Sequence, residues 1–141
     1  MKFILEIITP QRQAFSGDVD SVSVPTSQGM IEILAKHVPL FSALSMGEVK
    51  IHAGTTEFFL AIGGGFMEVT KQRVSILVSR AVHADELNEA EIKKAHAAAS
   101  DALAKKVTGE ELAQAQSILR RSVLELKLFR RRRTGSGSIS H

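Results

Sequence analysis

The chain predicts a mixed β + α protein, with an antiparallel sandwich or barrel in its N-terminal part and an antiparallel helical hairpin after it. Three features of the 141 residues carry that reading. Apolar residues alternate with period two over Arg73–Val82, where Val74, Ile76 and Val78 share one face and Ser75, Leu77 and Ser79 the other. Short apolar runs recur between Gly and Pro turns throughout the first half, with no room for a helix of about ten residues between any two. After His83 the β-branched residues almost vanish and the apolar period becomes helical, so the junction near Ala84-Asp85 divides the chain.

Taken in order, Phe3–Ile8 reads as a strand stopped by Thr9-Pro10. Gln13–Ser16 and Val19–Val24 follow, parted at Gly17-Asp18, with Val22 and Val24 on one side. Pro25 and Ser27-Gln28-Gly29 make a turn into Met30–Leu34, and residues 35–39 form a loop. Phe41–Leu44, Glu48–His52 and Glu57–Ile62 are strands joined at Ser45-Met46-Gly47 and Ala53-Gly54-Thr55. Phe66–Thr70 and Arg73–Val82 form a hairpin about Lys71-Gln72. The alternation and the lack of helical crossovers speak against a parallel βαβ sheet.

Two helices are expected next. Asn88 is a good N-cap, and Glu91 three residues later makes a capping-box pattern before the stripe Ile92, Ala95, Ala99, Leu103. Thr108 with Glu111 repeats the pattern before Leu112, Ala115, Leu119, Val123 and Leu126. The short link at Val107–Gly109 forces the two antiparallel. The stripe of the first helix is mostly alanine, so the hairpin has little core of its own and depends on what it packs against. Residues 134–141 are a Gly/Ser tail expected to be disordered.

Composition narrows the function classes. Hydrophobic content of 44% and charged content of 23% are those of a soluble globular domain. Without Cys there is no disulfide, thiol nucleophile or thiolate metal site. The N-terminal MKFILEIITP is too short and wrongly flanked for a signal peptide, and the apolar run Phe58–Met67 is too short to span a bilayer. Residues 1–84 balance seven acids against seven bases, whereas residues 85–141 carry eight acids and eleven bases. The excess of positive charge lies in the last helix and its Arg130–Arg133 run, a basic tail on a neutral body.

No residue pattern points to catalysis. Gly63-Gly64-Gly65 leads into a strand and not a helix N-terminus, so a bulge or tight crossing is expected there in place of a phosphate loop. His37, His52, His83 and His96 have no metal-ligand spacing, and no metal site is expected. The Arg130–Arg133 run is either a solvated helix end, favourable with the helix dipole, or a partner-binding element. Read from its residues alone, the chain is a non-catalytic interaction protein of one of two kinds. It is a regulatory subunit of a larger machine, or a stand-alone module whose basic helical tail binds nucleic acid or anionic membrane.

FSGDVDSVSVPTSQG at 15–29, KHVPL at 36–40, AIGGGFMEV at 61–69 and the switch to helix at HADELNEAE together resemble the epsilon subunit of bacterial F-type ATP synthase. The resemblance spans about residues 1–130 in order. It implies a ten-stranded sandwich that docks on the gamma subunit and the membrane c-ring, with Met30, Glu32, His37 and Pro39 at that interface. It also implies a hairpin that moves between a folded and an extended state, the extended one blocking ATP hydrolysis. Arg120, Arg121, Arg130 and Arg131 would then meet the alpha/beta catalytic head. The implied protein is a rotor-stalk subunit of the proton-translocating enzyme, peripheral on the cytoplasmic face of the inner membrane. It is not an enzyme alone, binds no nucleic acid, and meets the membrane only through the complex.

Two departures stand out. Ala35-Lys36 replaces the family's usual Pro-Gly, and Glu32 replaces a Gly. The ATP-binding pattern that some members carry at the start of the first hairpin helix reads Leu87, Asn88, Glu91 and Ile92 here, with an acid where Arg is usual. Glu91 and Glu125 would repel phosphates even with Arg121 nearby, so no cofactor is expected on the hairpin.

Overall fold

The computed structural model describes the backbone of residues 1–139 and the side chains of residues 1–131. The chain divides into two compact units, Met1–His83 and the residues from Ala84 onward.

The first unit is a sandwich of two five-stranded sheets. In chain order the strands are β1 (Phe3–Ile8), β2 (Gln13–Val19), β3 (Ser21–Thr26), β4 (Gly29–Leu34) and β5 (Leu40–Leu44), then β6 (Gly47–Ala53), β7 (Thr56–Ile62), β8 (Gly65–Val69), β9 (Arg73–Val78) and β10 (Ala81–His83). One sheet has the order β2-β1-β9-β8-β5, the other β10-β7-β6-β3-β4. The period-two pattern decides the inner faces: Leu5, Ile7, Val22, Val24, Val49, Ile51, Met67 and Ile76 are all fully buried. On β9, Val74, Ile76 and Val78 point inward while Leu77 is 51% exposed, as the alternation predicts.

Three details differ from the sequence reading. Gly17-Asp18 does not interrupt a strand, since Gly17 pairs with Leu5 inside β2 and the chain bends at Asp20 instead. Arg73–Val82 is not continuous either. β9 ends at Val78 and β10 pairs with β7 in the opposite sheet. Finally, β1 and β9 run parallel, Leu5 opposite Val74 and Ile7 opposite Ile76. Seven intervening strands join them, so no helical crossover is needed.

The three glycines sit where the chain changes sheet twice, side by side. Gly63 N–H donates to Arg80 O at 2.9 Å and Ser79 N–H to Gly64 O at 3.1 Å. A Cβ on Gly63 would lie 2.4 Å from Ser79 Oγ, and one on Gly65 would lie 2.0 Å from Leu77 O. The tight crossing expected there is present, and at Gly65, where the added carbon would meet backbone, only glycine fits it.

The second unit opens with a short 3-10 turn at Ala84–Glu86, followed by α1 (Glu89–Ala104) and α2 (Glu110–Ile139). Asn88 caps α1, its side-chain oxygen accepting from Glu91 N–H at 3.2 Å. The second cap falls one residue later than expected. Gly109, at φ of 65°, precedes α2 and its carbonyl accepts from Ala113 N–H at 3.1 Å, so Thr108 stands outside the helix. The buried face of α2 is also turned from the expected stripe. Ala115, Ser122, Glu125 and Leu128 are buried while Val123 is 52% exposed. Hydrophobicity misplaced that face because Ser122 satisfies itself within the helix, its hydroxyl donating to Ile118 O at 2.7 Å. The tail expected over 134–141 lies outside the residues whose side chains are described; α2 runs to Ile139, and residues 140 and 141 lie outside the described residues.

Candidate subunit-docking site

The outer face of the sheet β2-β1-β9-β8-β5 carries an apolar band that a free-standing domain does not need. Register places Ile8 opposite Leu77, Leu77 opposite Phe66, and Phe66 opposite Ala43, so one row crosses four strands. Phe66 also stacks on Phe41 with ring centroids 5.6 Å apart. Phe41 is 67% exposed and Phe66 53%. Adjacent exposed aromatics backed by a rigid sheet mark a protein-binding surface more specifically than scattered apolar residues do. The sequence reading missed this band. Its strands were legible, but the band depends on the strand order, which is not local; the cue available was four large apolar residues at outward positions of their alternations.

Of the residues expected at the rotor interface, Met30 and Glu32 lie outward on β4, both exposed. His37 and Pro39 lie in the loop 35–39. The four are not one cluster. Met30 pairs with Pro25 at the β3–β4 turn, and His37 follows the opposite end of β4, so roughly 13 Å of strand separates their surroundings. Lys36 adopts the left-handed conformation at φ of 65°, so the Ala35-Lys36 replacement keeps a turn that favours glycine. His37 Nδ1 donates to Val38 O at 2.7 Å, which leaves Nε2 directed elsewhere.

The arginines expected to meet a catalytic head divide by helix face. Arg120, Arg130 and Arg131 are exposed on α2. Arg121 is half-buried and lines a groove of about 310 Å³ between α1 and α2, together with Glu111, Gln114 and alanines of both helices. Its Nε is buried without a hydrogen-bond partner. Asn88 and Glu91 are not in that groove. Among the described residues no group of three or more His, Cys, Asp or Glu could hold a metal ion, and no helix is long and apolar enough to cross a membrane.

Electrostatics at the sandwich surface are local. Gly54 N–H donates to Asp20 at 2.6 Å, and that bond, assisted by Lys2 and the N-terminal amine, lowers the Asp20 carboxyl from its ordinary value. Glu6 pairs with Arg73 and accepts from Gln13 at 3.2 Å, tying three adjacent strands.

The sequence and the fold match one family. The family model described as ATP synthase, Delta/Epsilon chain, beta-sandwich domain matches residues 2–84. The ATP synthase epsilon chain of Herpetosiphon aurantiacus is 38% identical over 133 residues, 94% of this chain and 98% of that one. That of Dehalococcoides mccartyi strain BAV1 is 39% identical over 133 residues, covering 94% and 95%. Among solved structures, a chain of the Euglena gracilis mitochondrial ATP synthase (OSCP/F1/c-ring) superposes with a TM-score of 0.65 at 20% identity, over 92% of this chain and 78% of that one. One from the Tetrahymena thermophila mitochondrial ATP synthase central stalk and c-ring gives 0.57 at 16%, over 92% and 97%. At those identities the two structures support the fold, while the whole-length sequence matches fix the relationship: the chain belongs to the ATP synthase epsilon chain family.

Proposed function

We propose that this chain is a non-catalytic subunit of the central rotor stalk of a proton-translocating ATP synthase, peripheral on the cytoplasmic face of a bacterial inner membrane. The observation that carries the reading is a whole-length family match, helices included, on a sandwich whose outer face exposes an apolar band. In this reading the Phe41–Phe66–Leu77 band docks on the gamma subunit, a large partner that would cover it permanently. Met30, Glu32, His37 and Pro39 then address the gamma subunit and the c-ring from two places on the sandwich. Cysteines placed at Met30 and His37 should cross-link to gamma or c in assembled enzyme; failure at both, with cross-links elsewhere on the sandwich, overturns that part.

The hairpin acts as a brake on ATP hydrolysis. Arg120, Arg121, Arg130 and Arg131 present positive charge to acidic segments of the alpha/beta head when the helices extend. A hairpin whose facing surfaces are mostly alanine has two states separated by a few kcal/mol, a gap that partner contacts can tip. Truncation after Ala84 should leave synthesis coupled and raise ATP hydrolysis, and an unchanged hydrolysis rate across salt and nucleotide concentrations rejects the brake. The hairpin holds no ATP in this reading, because Asn88 and Glu91 stand where an acid and a base would be needed. Calorimetry giving a micromolar dissociation constant for the isolated chain contradicts it.

A further inference from the structure

At the end of the sandwich where the start of β1, the loop 35–39 and the β8–β9 turn meet, a pocket of about 590 Å³ opens to solvent. Ile4 N–H donates to Gln72 O at 3.0 Å and holds two of these walls together. The lining includes Lys2, Lys36, His37, Val38, Pro39 and Lys71, and no acidic residue lines it. Lys36 and Lys71 have no ion-pair partner among the described residues, while Lys2 acts electrostatically on Asp20, which lies outside the lining. Three lysines from three separate chain segments therefore line one cavity that holds no acidic residue, two of them unpaired among the described residues. Lys36 does so from a left-handed turn that glycine would occupy without strain. With His37 Nδ1 committed to Val38 O, its Nε2 is left for other partners. Val38, 73% exposed, adds an apolar wall beside the charges.

We propose that this pocket binds a phosphate group, supplied in the cell by the headgroup of an acidic phospholipid. Lysines are strong phosphate donors as point charges, and a cationic pocket with an exposed apolar edge matches a headgroup whose phosphate adjoins glycerol and acyl carbons. The phosphate chemistry follows from the pocket alone. Its lipid source rests on the rotor reading, which brings the His37 loop to the c-ring and so to the membrane surface.

The isolated full-length chain tests both parts without the rotor. Nitrogen-15 NMR spectra would be followed on titration with glycerol 3-phosphate, and sedimentation measured with vesicles of phosphatidylglycerol in phosphatidylcholine and of phosphatidylcholine alone. The variant Lys36→Gly with Lys71→Gln removes two of the charges, and Lys105→Gln with Lys106→Gln removes two from the hairpin link. Shifts should centre on residues 36–38 and 71–72, and the pocket variant should bind anionic vesicles about 30-fold more weakly, while the link variant stays within about twofold of the parent. Glycine at position 36 relieves the strained turn, so Lys36→Gly alone should melt no lower than the parent, which separates lost binding from lost folding. Binding of glycerol 3-phosphate without binding to anionic vesicles keeps the phosphate site and overturns the lipid source. No shift in the pocket, or equal losses in both paired variants, overturns the site itself.

Discussion

Gly65 and Asp20 show how single residues hold the sandwich. A methyl group on Gly65 would meet backbone at Leu77 O and Val78 Cα, at 2.0 and 2.7 Å, and backbone in two paired strands cannot give way. Gly65→Ala should destabilise the sandwich by about 3 kcal/mol or more, read from the urea midpoint. Gly54 has φ of 65° and open space around it, and its amide is what lowers the Asp20 carboxyl. The folded value lies below the unfolded one, near 3.8, so this contribution is present above that value and is lost as pH falls through the folded value. Asp20→Asn should flatten the acid limb of a stability profile taken from pH ~6 to pH ~2.5, and an unaltered acid limb counts against the bond. Gly63–Gly65 was legible from sequence, since glycines leading into a strand announce a crossing. The Asp20–Gly54 bond was not, because 34 positions separate its partners.

At the scale of elements, alternation and turn chemistry located β1 to β9 to within a few residues and merged β10 into β9, and the errors have a common cause. Gly17-Asp18 looked like a break because turn residues usually mark one, yet pairing with β1 carries them through. The end of β9 was overrun because Ala81-Val82 still reads as apolar strand, while the backbone changes sheet at Ser79-Arg80. In the hairpin, the Asn88 cap was legible and should cost about 1 kcal/mol of hairpin stability when replaced by Ala, measured as helix loss by circular dichroism at elevated temperature. The face of α2 was not legible, because polar Ser122, Glu125 and half-buried Arg121 lie on the buried side while Val123 of the expected stripe is exposed. Arg121 carries a buried donor with no partner, a group whose removal favours the closed hairpin. Arg121→Met should therefore raise the melting temperature of the hairpin and, in assembled enzyme, increase ATP hydrolysis. A fall in both would mean that the guanidinium supports the closed state.

For the whole molecule, the decisive asymmetry is where the core lies. The hydrophobic core cluster runs from Phe3 to Ala81 and belongs entirely to the first unit. Among the described residues of the second unit the buried hydrophobic residues beyond Ala84 are Ile92, Ala99, Ala115 and Leu128, and the helices face each other across an open, alanine-lined groove of about 310 Å³. Facing surfaces of alanine bury little apolar area and supply few dispersion contacts. Two helices with so little apolar surface between them gain too little to offset the entropy of ordering their chain. The fragment 1–84 should consequently unfold in one cooperative transition within about 1 kcal/mol of the full chain's sandwich, followed by the near-ultraviolet signal of Phe15 and Phe58, whose rings meet edge to face at 5.4 Å. The fragment 85–141 should be largely non-helical in dilute buffer. A hairpin fragment that keeps the helix content it has in the full chain would show that its stability is intrinsic, and a brake that depends on easy opening could not then be built from it.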